Sequence, residues 1–374
     1  FFLCSIKVPG TIINSVRQIN ESRKIAGQTT DGEEVKMKKR QKPLWKKLAA
    51  AGLICGACMM MQESSVLATA DPAGYQIVMI AKQSDPWFED METGVEQLKK
   101  DIGLNVSMQY PETNDAKGQV RIVESLMEQG VNAICIVPND PEELVDVIQE
   151  ARDMGIVVVT HEAPSIADKV DLDVEAFVNK TFGELFGKNI AEAMDGKGYY
   201  AGIVGSRNMD THMEWYQAAV SYIEDNYPDM MCLTQEPQED GNSLAGAYEA
   251  TKYLVDNYPQ LGGIIECSAY GAGVCNALSE KKLSDKVKVV SLAVPSQVTD
   301  FLGNGSLISI LAWRPADAGY AVCYAAYLLA SGQTVENGTD LKATGYESVR
   351  VKDGIAYGSA PLEYTAENIE DYMF

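Results

Sequence analysis

Histidine is almost missing: the 374 residues contain only His161 and His212. His161 is not followed by the spacing of a zinc-binding helix, so no catalytic zinc centre is expected. There is no phosphate-binding glycine loop. Gly271-Ala272-Gly273 has Asn276 where a dinucleotide fingerprint needs its third glycine. A basic surplus is missing as well, since 31 Lys+Arg stand against 53 Asp+Glu, a formal charge of -22. Residues 1–70 hold 11 basic and 5 acidic side chains, so residues 71–374 hold 20 and 48 and carry -28. A body this acidic is repelled by phosphate backbones and anionic lipid, which excludes nucleic acid as a partner. After residue 70 only Cys135, Cys232, Cys267, Cys275 and Cys323 remain, an odd number without C-x-x-C. That pattern excludes a disulfide framework and a structural zinc site and predicts buried thiols.

What is present divides the chain. Residues 1–36 show no sustained period and read as an upstream extension outside the working protein. From Met37 come Lys38-Lys39-Arg40, further lysines, an apolar run over 48–61 and Ala68-Thr69-Ala70. A run of 14 residues is short of the roughly 20 that a membrane-spanning helix needs, so 37–70 reads as a secretory signal peptide. Export with a mature start at Asp71 is the expectation, with a lipid anchor at Cys58 as the alternative.

Beyond residue 70, short β-rich apolar runs alternate with longer amphipathic ones. Strands over 76–80, 106–110, 133–137 and 156–160 are separated by helices over 87–102, 116–129 and 141–154. After a run at 170–178 the rhythm restarts and continues to a helix over 316–330. Buried parallel strands produce such continuous runs, and about 300 residues of βα units exceed one sheet, so two lobes are expected. Ligands of open α/β sheets bind beyond the carboxyl ends of strands. The candidate positions are therefore 82–88, 138–140, 161–163, 207–212, 267–270, 293–295 and 313–314.

Each candidate has a plain reading beside the functional one. Asp85-Pro86-Trp87-Phe88 puts two rings at a strand-to-helix junction, suited to stacking on a sugar face or to locking the helix against the core. Lys82 can donate to ligand oxygens or be a solvated lysine. Glu162, next to His161, can grip neighbouring hydroxyls or sit in water. Asp210-Thr211-His212 opens a helix, where capping competes with ligand contact. Asn139, Asp140 and Pro295 fall in the same post-strand windows. Cys267 lacks the local geometry of a nucleophile, so no catalytic residue is assigned.

These features, with Gly130-Val131-Asn132-Ala133-Ile134, Val137-Pro138-Asn139-Asp140 and Ala312-Trp313-Arg314-Pro315-Ala316-Asp317, resemble a type I periplasmic sugar-binding protein of an ABC importer. Within that family the likeness is to the rhamnose-binding and autoinducer-2-binding branch. The resemblance implies an α/β fold of two lobes, each a parallel sheet flanked by helices, joined by a three-strand hinge. It assigns 71–174 plus 315–343 to the N-terminal lobe and 175–314 plus 344–374 to the C-terminal lobe. It further implies a monomer with no cofactor or metal, a small sugar-like ligand and ABC permease subunits as partners. Lys82, Trp87, Phe88, Glu162, Thr211, His212, Cys267, Ala269 and Trp313 would line the cleft. The chain departs from the branch at Thr211, Cys267 and Arg314, which removes hydroxyl acceptors, and Arg207 and Arg314 could admit a carboxylate or phosphate. A ligand-sensing receptor for a membrane signalling system and a secreted α/β enzyme are the competing functions. A sugar-responsive repressor is disfavoured by the leader and by the lack of a basic helical headpiece.

Overall fold

The apolar runs become strands because both faces of each sheet are covered by helices, which removes the need for polar alternation. A computed structural model of the chain describes residues 71–369. The segments read as an upstream extension and a signal peptide, with Cys58, and residues 370–374 lie outside the described residues.

The first lobe contains β1 (Gln76–Ile80), α1 (Pro86–Ile102), β2 (Asn105–Gln109), α2 (Ala116–Gln129), β3 (Ala133–Ile136), α3 (Pro141–Asp153), β4 (Val157–His161) and β5 (Leu172–Glu175). The second contains α4 (Asn179–Ala193), β6 (Lys197–Val204), α5 (Asp210–Asn226), β7 (Asp229–Cys232), β8 (Gln238–Glu239), α6 (Leu244–Asn257), β9 (Leu261–Glu266), α7 (Gly271–Glu280), β10 (Lys288–Ser291), α8 (Pro295–Gly303) and β11 (Leu307–Ala312). Then come α9 (Pro315–Ala330), β12 (Arg350–Lys352), β13 (Ile355–Tyr357) and β14 (Leu362–Tyr364). Asp85, Asp115, Asp140 and Ser243 cap α1, α2, α3 and α6, each accepting a backbone N–H of the first turn.

One sheet runs β12, β13, β5, β4, β3, β1, β2 and the other β14, β11, β10, β9, β6, β7, with β8 also on β6. All pairings are parallel except β12 with β13 and β11 with β14. Helix α9 packs on β1, β3 and β4, so the first lobe takes a helix from late in the chain. Its start is capped from a neighbour: Ala316 N–H donates to Asp90 Oδ2 of α1 at 3.0 Å. Glycines let these two helices touch, since a Cβ on Gly94 would lie 1.8 Å from the Ala316 carbonyl oxygen. Gly187 does the same between α4 and α5, where a Cβ would lie 2.6 Å from the Ala219 oxygen.

The tail departs from the expected division. β13 pairs in parallel with β5, so 350–357 belongs to the first sheet and not to the second lobe. The boundary expected at residue 343 therefore moves past Tyr357, and only β14 joins the second sheet. The chain crosses between lobes at 176–178, 313–314 and 358–361. The first and third crossings are tied together, Gly358 N–H donating to the Glu175 carbonyl at 2.8 Å and Ala360 N–H to that of Ala176 at 3.0 Å.

Candidate functional site

Residues that follow β1, β4, β9, β10 and β11 meet in one cavity between the lobes. It encloses about 350 Å³ of free space, the part open to solvent included, and is lined by both lobes.

On the first-lobe side Gln119, fully buried, donates to the Ala81 and Val137 carbonyls at 2.9 and 2.7 Å and clamps the ends of β1 and β3. Asn139 continues the brace, its Nδ2 donating to the Lys82 carbonyl at 2.9 Å. Lys82 is thereby held where its Nζ lies 2.5 Å from Glu162 Oε2, with side-chain exposures of 5% and 4%. Burial pushes the Glu162 carboxyl up, but the charge of Lys82, then His161 and the Lys82 hydrogen bond outweigh it and hold it below the ordinary value of 4.5. The wall therefore presents a buried ion pair. Glu162 adopts a left-handed φ of 60°, an uncommon conformation for a residue with a Cβ that turns the chain directly after β4. His161 sits behind it, its Nδ1 donating to the Val174 carbonyl at 2.5 Å.

The second-lobe side is built from the turn Ser268-Ala269-Tyr270 together with His212, Asn242 and Leu292. His212 Nδ1 accepts the Gly205 N–H at 3.1 Å, which leaves its other nitrogen as the N–H donor. Burial, then the nearby Lys82 charge, drives the imidazole down to about 3, so it is neutral at physiological pH. Trp313, on the second crossing, makes edge contacts with Trp87 at 4.8 Å, Phe177 at 5.4 Å and Trp215 at 5.5 Å. One ring therefore touches α1, the first crossing and α5. Its indole N–H is buried without a partner beside the cavity.

The lobes also bond to each other directly. Tyr270 donates to Asp85 Oδ2 at 2.7 Å, and Gln83 Nε2 donates to the Asn242 carbonyl at 3.1 Å. At the other side of the cleft Asn208 Nδ2 donates to Asp140 Oδ2 at 2.9 Å, and Ser165 N–H to Asp210 Oδ2 at 3.0 Å. This is the closed arrangement of the two lobes.

Of the residues named from sequence, Lys82, Asp85, Trp87, Phe88, Glu162, His212, Ala269 and Trp313 line the cavity. The others do not. Asn139 and His161 brace the lining from behind, and Thr211 meets Glu162 Oε2 at 3.5 Å. Asp140 caps α3 and latches the lobes. Cys267 is fully buried, and Pro295 is the first residue of α8. Arg314 lies in an outer groove with Asp317, Thr93 and Lys342, because its neighbour Trp313 takes the inward position. Arg207 pairs with Glu239 at 2.6 Å. Neither arginine is available to a ligand acid in the cavity. Gln83, Ser268 and Tyr270 fell within the post-strand windows but were not singled out. Asn242 was missed because the strand before its turn, β8, has two residues, and Leu292 because it reads as the end of a strand. Among the described residues no group of three His, Cys, Asp or Glu side chains could hold a metal ion.

Known proteins share this architecture. A D-ribose/D-allose-binding protein of Pseudomonas aeruginosa is 24% identical over 303 residues, 78% of this chain and 93% of that protein. The solved structure of LsrB from Clostridium saccharobutylicum in complex with AI-2 matches with a TM-score of 0.75 at 19% identity, over 80% of this chain and 100% of that one. An ABC transporter solute-binding protein from Clostridium phytofermentas with bound L-rhamnose matches at 0.73 and 20% identity, over 80% and 98%. The periplasmic binding protein domain is matched over residues 76–334, which takes in both sheets' central strands, the cavity and the first two crossings. With two such lobes closed over a polar and aromatic cavity, the chain belongs to the periplasmic binding protein domain family.

Proposed function

We propose that this protein is an exported receptor that captures one small neutral sugar between its lobes and delivers it unchanged to an ABC permease. The observation that carries this reading is the cavity itself. Aromatic faces from Trp87, Phe88 and Trp313 stand beside donors and acceptors from both lobes, the mixture that suits a ring with one apolar face and a rim of hydroxyls. Neutrality follows from charge. Lys82 is matched by Glu162, Asp85 is engaged by Tyr270 and Gln83, and both candidate arginines lie elsewhere. A sugar acid would meet no unmatched cation. The sugars of the relatives, ribose, allose and rhamnose, fit this class.

A sugar touching both walls favours the closed arrangement, which is the shape a permease can read. The receptor works as a monomer, and turnover plays no part. The test is a thermal-shift screen with D-ribose, D-allose, L-rhamnose and the corresponding sugar acids, followed by calorimetric titration of the best hit and recovery of the bound compound. One neutral sugar per chain, recovered intact, is expected. A preference for the acids, or a chemically altered product, would overturn the reading.

A further inference from the structure

Behind the second-lobe wall two carboxyl groups are buried with no cation between them. Asp240 is 3% exposed and Glu266 is fully buried. Ser268 Oγ is within hydrogen-bonding distance of both Asp240 Oδ2 and Glu266 Oε1. Ser291 Oγ lies 2.5 Å from Glu266 Oε2 and 2.5 Å from the Leu292 carbonyl oxygen. These are four oxygen-to-oxygen contacts, yet the two serines supply only two hydroxyl hydrogens. Every other oxygen in the set belongs to a carboxyl or a carbonyl. Two more hydrogens are needed, and only the carboxyl groups can carry them.

One arrangement satisfies every contact. Asp240 Oδ2–H donates to Ser268 Oγ, whose hydrogen goes to Glu266 Oε1; Glu266 Oε2–H donates to Ser291 Oγ, whose hydrogen goes to the Leu292 carbonyl. The relay runs from Asp240 behind the wall through Ser268 and ends at Leu292, and both Ser268 and Leu292 line the cavity. Glu266 Oε1 also accepts the Ser268 N–H at 2.6 Å, and its carboxyl takes the Tyr270 N–H. It thus folds back on the turn 268–270, where Ala269 is held at a left-handed φ of 75°. Asp240 Oδ1 accepts the Asn242 N–H at 2.8 Å, which fixes another lining residue.

We infer that Asp240 and Glu266 are positioning residues carried as neutral acids, whose shared hydrogen-bond relay holds the second-lobe wall in its sugar-binding shape and is broken when they ionise. This rests on the sugar-receptor reading for its ligand and on hydrogen accounting for its chemistry. The groups that face the pair are Cys267 beside it, Cys275 on α7, Tyr270, and Asp85 of the first lobe through Tyr270. None is a cation, so ionisation would find no counter-charge among them. Burial pushes the Glu266 carboxyl up to about 7 and raises Asp240 well above the ordinary value, in the same direction as the count of hydrogens.

Two measurements test this. Infrared difference spectra at about pH 6 compare wild type with Glu266→Gln and with Asp240→Asn, and need no ligand. A protonated-acid carbonyl band should be lost in each variant. If neither removes such a band, the acids are ionised and the inference is wrong. Calorimetry then uses whichever of D-ribose, D-allose and L-rhamnose binds wild type best. Affinity should fall about tenfold or more from about pH 6 to about pH 9 in wild type. Glu266→Gln, which keeps a donor and an acceptor, should bind within about threefold of wild type at the lower pH, with at least half of the alkaline loss removed on a logarithmic scale. An alkaline loss unchanged in Glu266→Gln would overturn the inference. If none of the three sugars binds wild type at all, the receptor reading fails while the infrared result still decides the protonation of the acids.

Discussion

The two walls of the cavity deal with the same problem in opposite ways. In the first lobe Glu162 is buried as an ion and neutralised by Lys82, which reaches it from the end of β1. In the second lobe Glu266 and Asp240 have no lysine or arginine among the groups that face them and are neutralised by protons. Either solution leaves the buried acid without an uncompensated charge, but they fail differently. An ion pair fails when one partner is removed, because the other is left charged in a medium that cannot solvate it. A protonated acid fails when the pH rises.

The largest effect that separates the walls is on stability. Lys82→Met should lower the free energy of unfolding by about 3–5 kcal/mol, the cost of stranding a buried charge, whereas Glu266→Gln, which keeps a neutral donor and acceptor, should cost less than about 1 kcal/mol. Denaturant titration measures both, and equal losses would erase the distinction. The helix seams offer a second contrast. Gly94→Ala in the first lobe forces a Cβ to within 1.8 Å of a backbone oxygen, against 2.6 Å for Gly187→Ala in the second. Overpacking of this kind costs about 1–3 kcal/mol, and Gly94→Ala should be the more damaging of the two in thermal melts.

The smallest predicted effect is on the pH profile, where the two walls pull in opposite directions. The Glu162 carboxyl is held below its ordinary value of 4.5, so its contribution is present above 4.5 and lost as pH falls through the folded-state value. The Glu266 carboxyl is raised from 4.5 to about 7, so its contribution is present below 4.5 and lost as pH rises through that window. Comparing wild type with Glu266→Gln between about pH 5 and pH 8, the wild-type melting temperature should fall by about 2–6 °C more. Parallel profiles would show that this carboxyl does not change its proton occupancy on folding.

Much of this was legible in the sequence, and the exceptions have physical causes. The βα rhythm could be read because parallel strands covered on both faces leave unbroken apolar runs. The tail could not, since β12, β13 and β14 have three residues each and carry no measurable period. Their sheet assignment depends on pairing with β5 and β11, far away in the chain. Post-strand position is what draws attention to Lys82, Trp87, Glu162, His212 and Trp313, and the fold brings all five to the cavity wall. It misplaced Arg314 because neighbouring residues on an extended crossing point in opposite directions, so the inward Trp313 sends the arginine outward. Glu266 reads in the sequence only as the last residue of a strand. An acid ending the otherwise apolar run Leu261–Glu266 was the available signal, but its contact with Asp240 through Ser268 is made only by the fold.

The most direct measurement is a crystal structure of the protein grown with the tightest-binding sugar of the screen. The prediction is one unaltered sugar in the cavity, its oxygens within hydrogen-bonding distance of Lys82 or Glu162 on one side and of the 268–270 turn on the other, with a ring face on Trp87 or Trp313. A sugar seated outside the cavity, or bound to one lobe alone with the lobes apart, would contradict it.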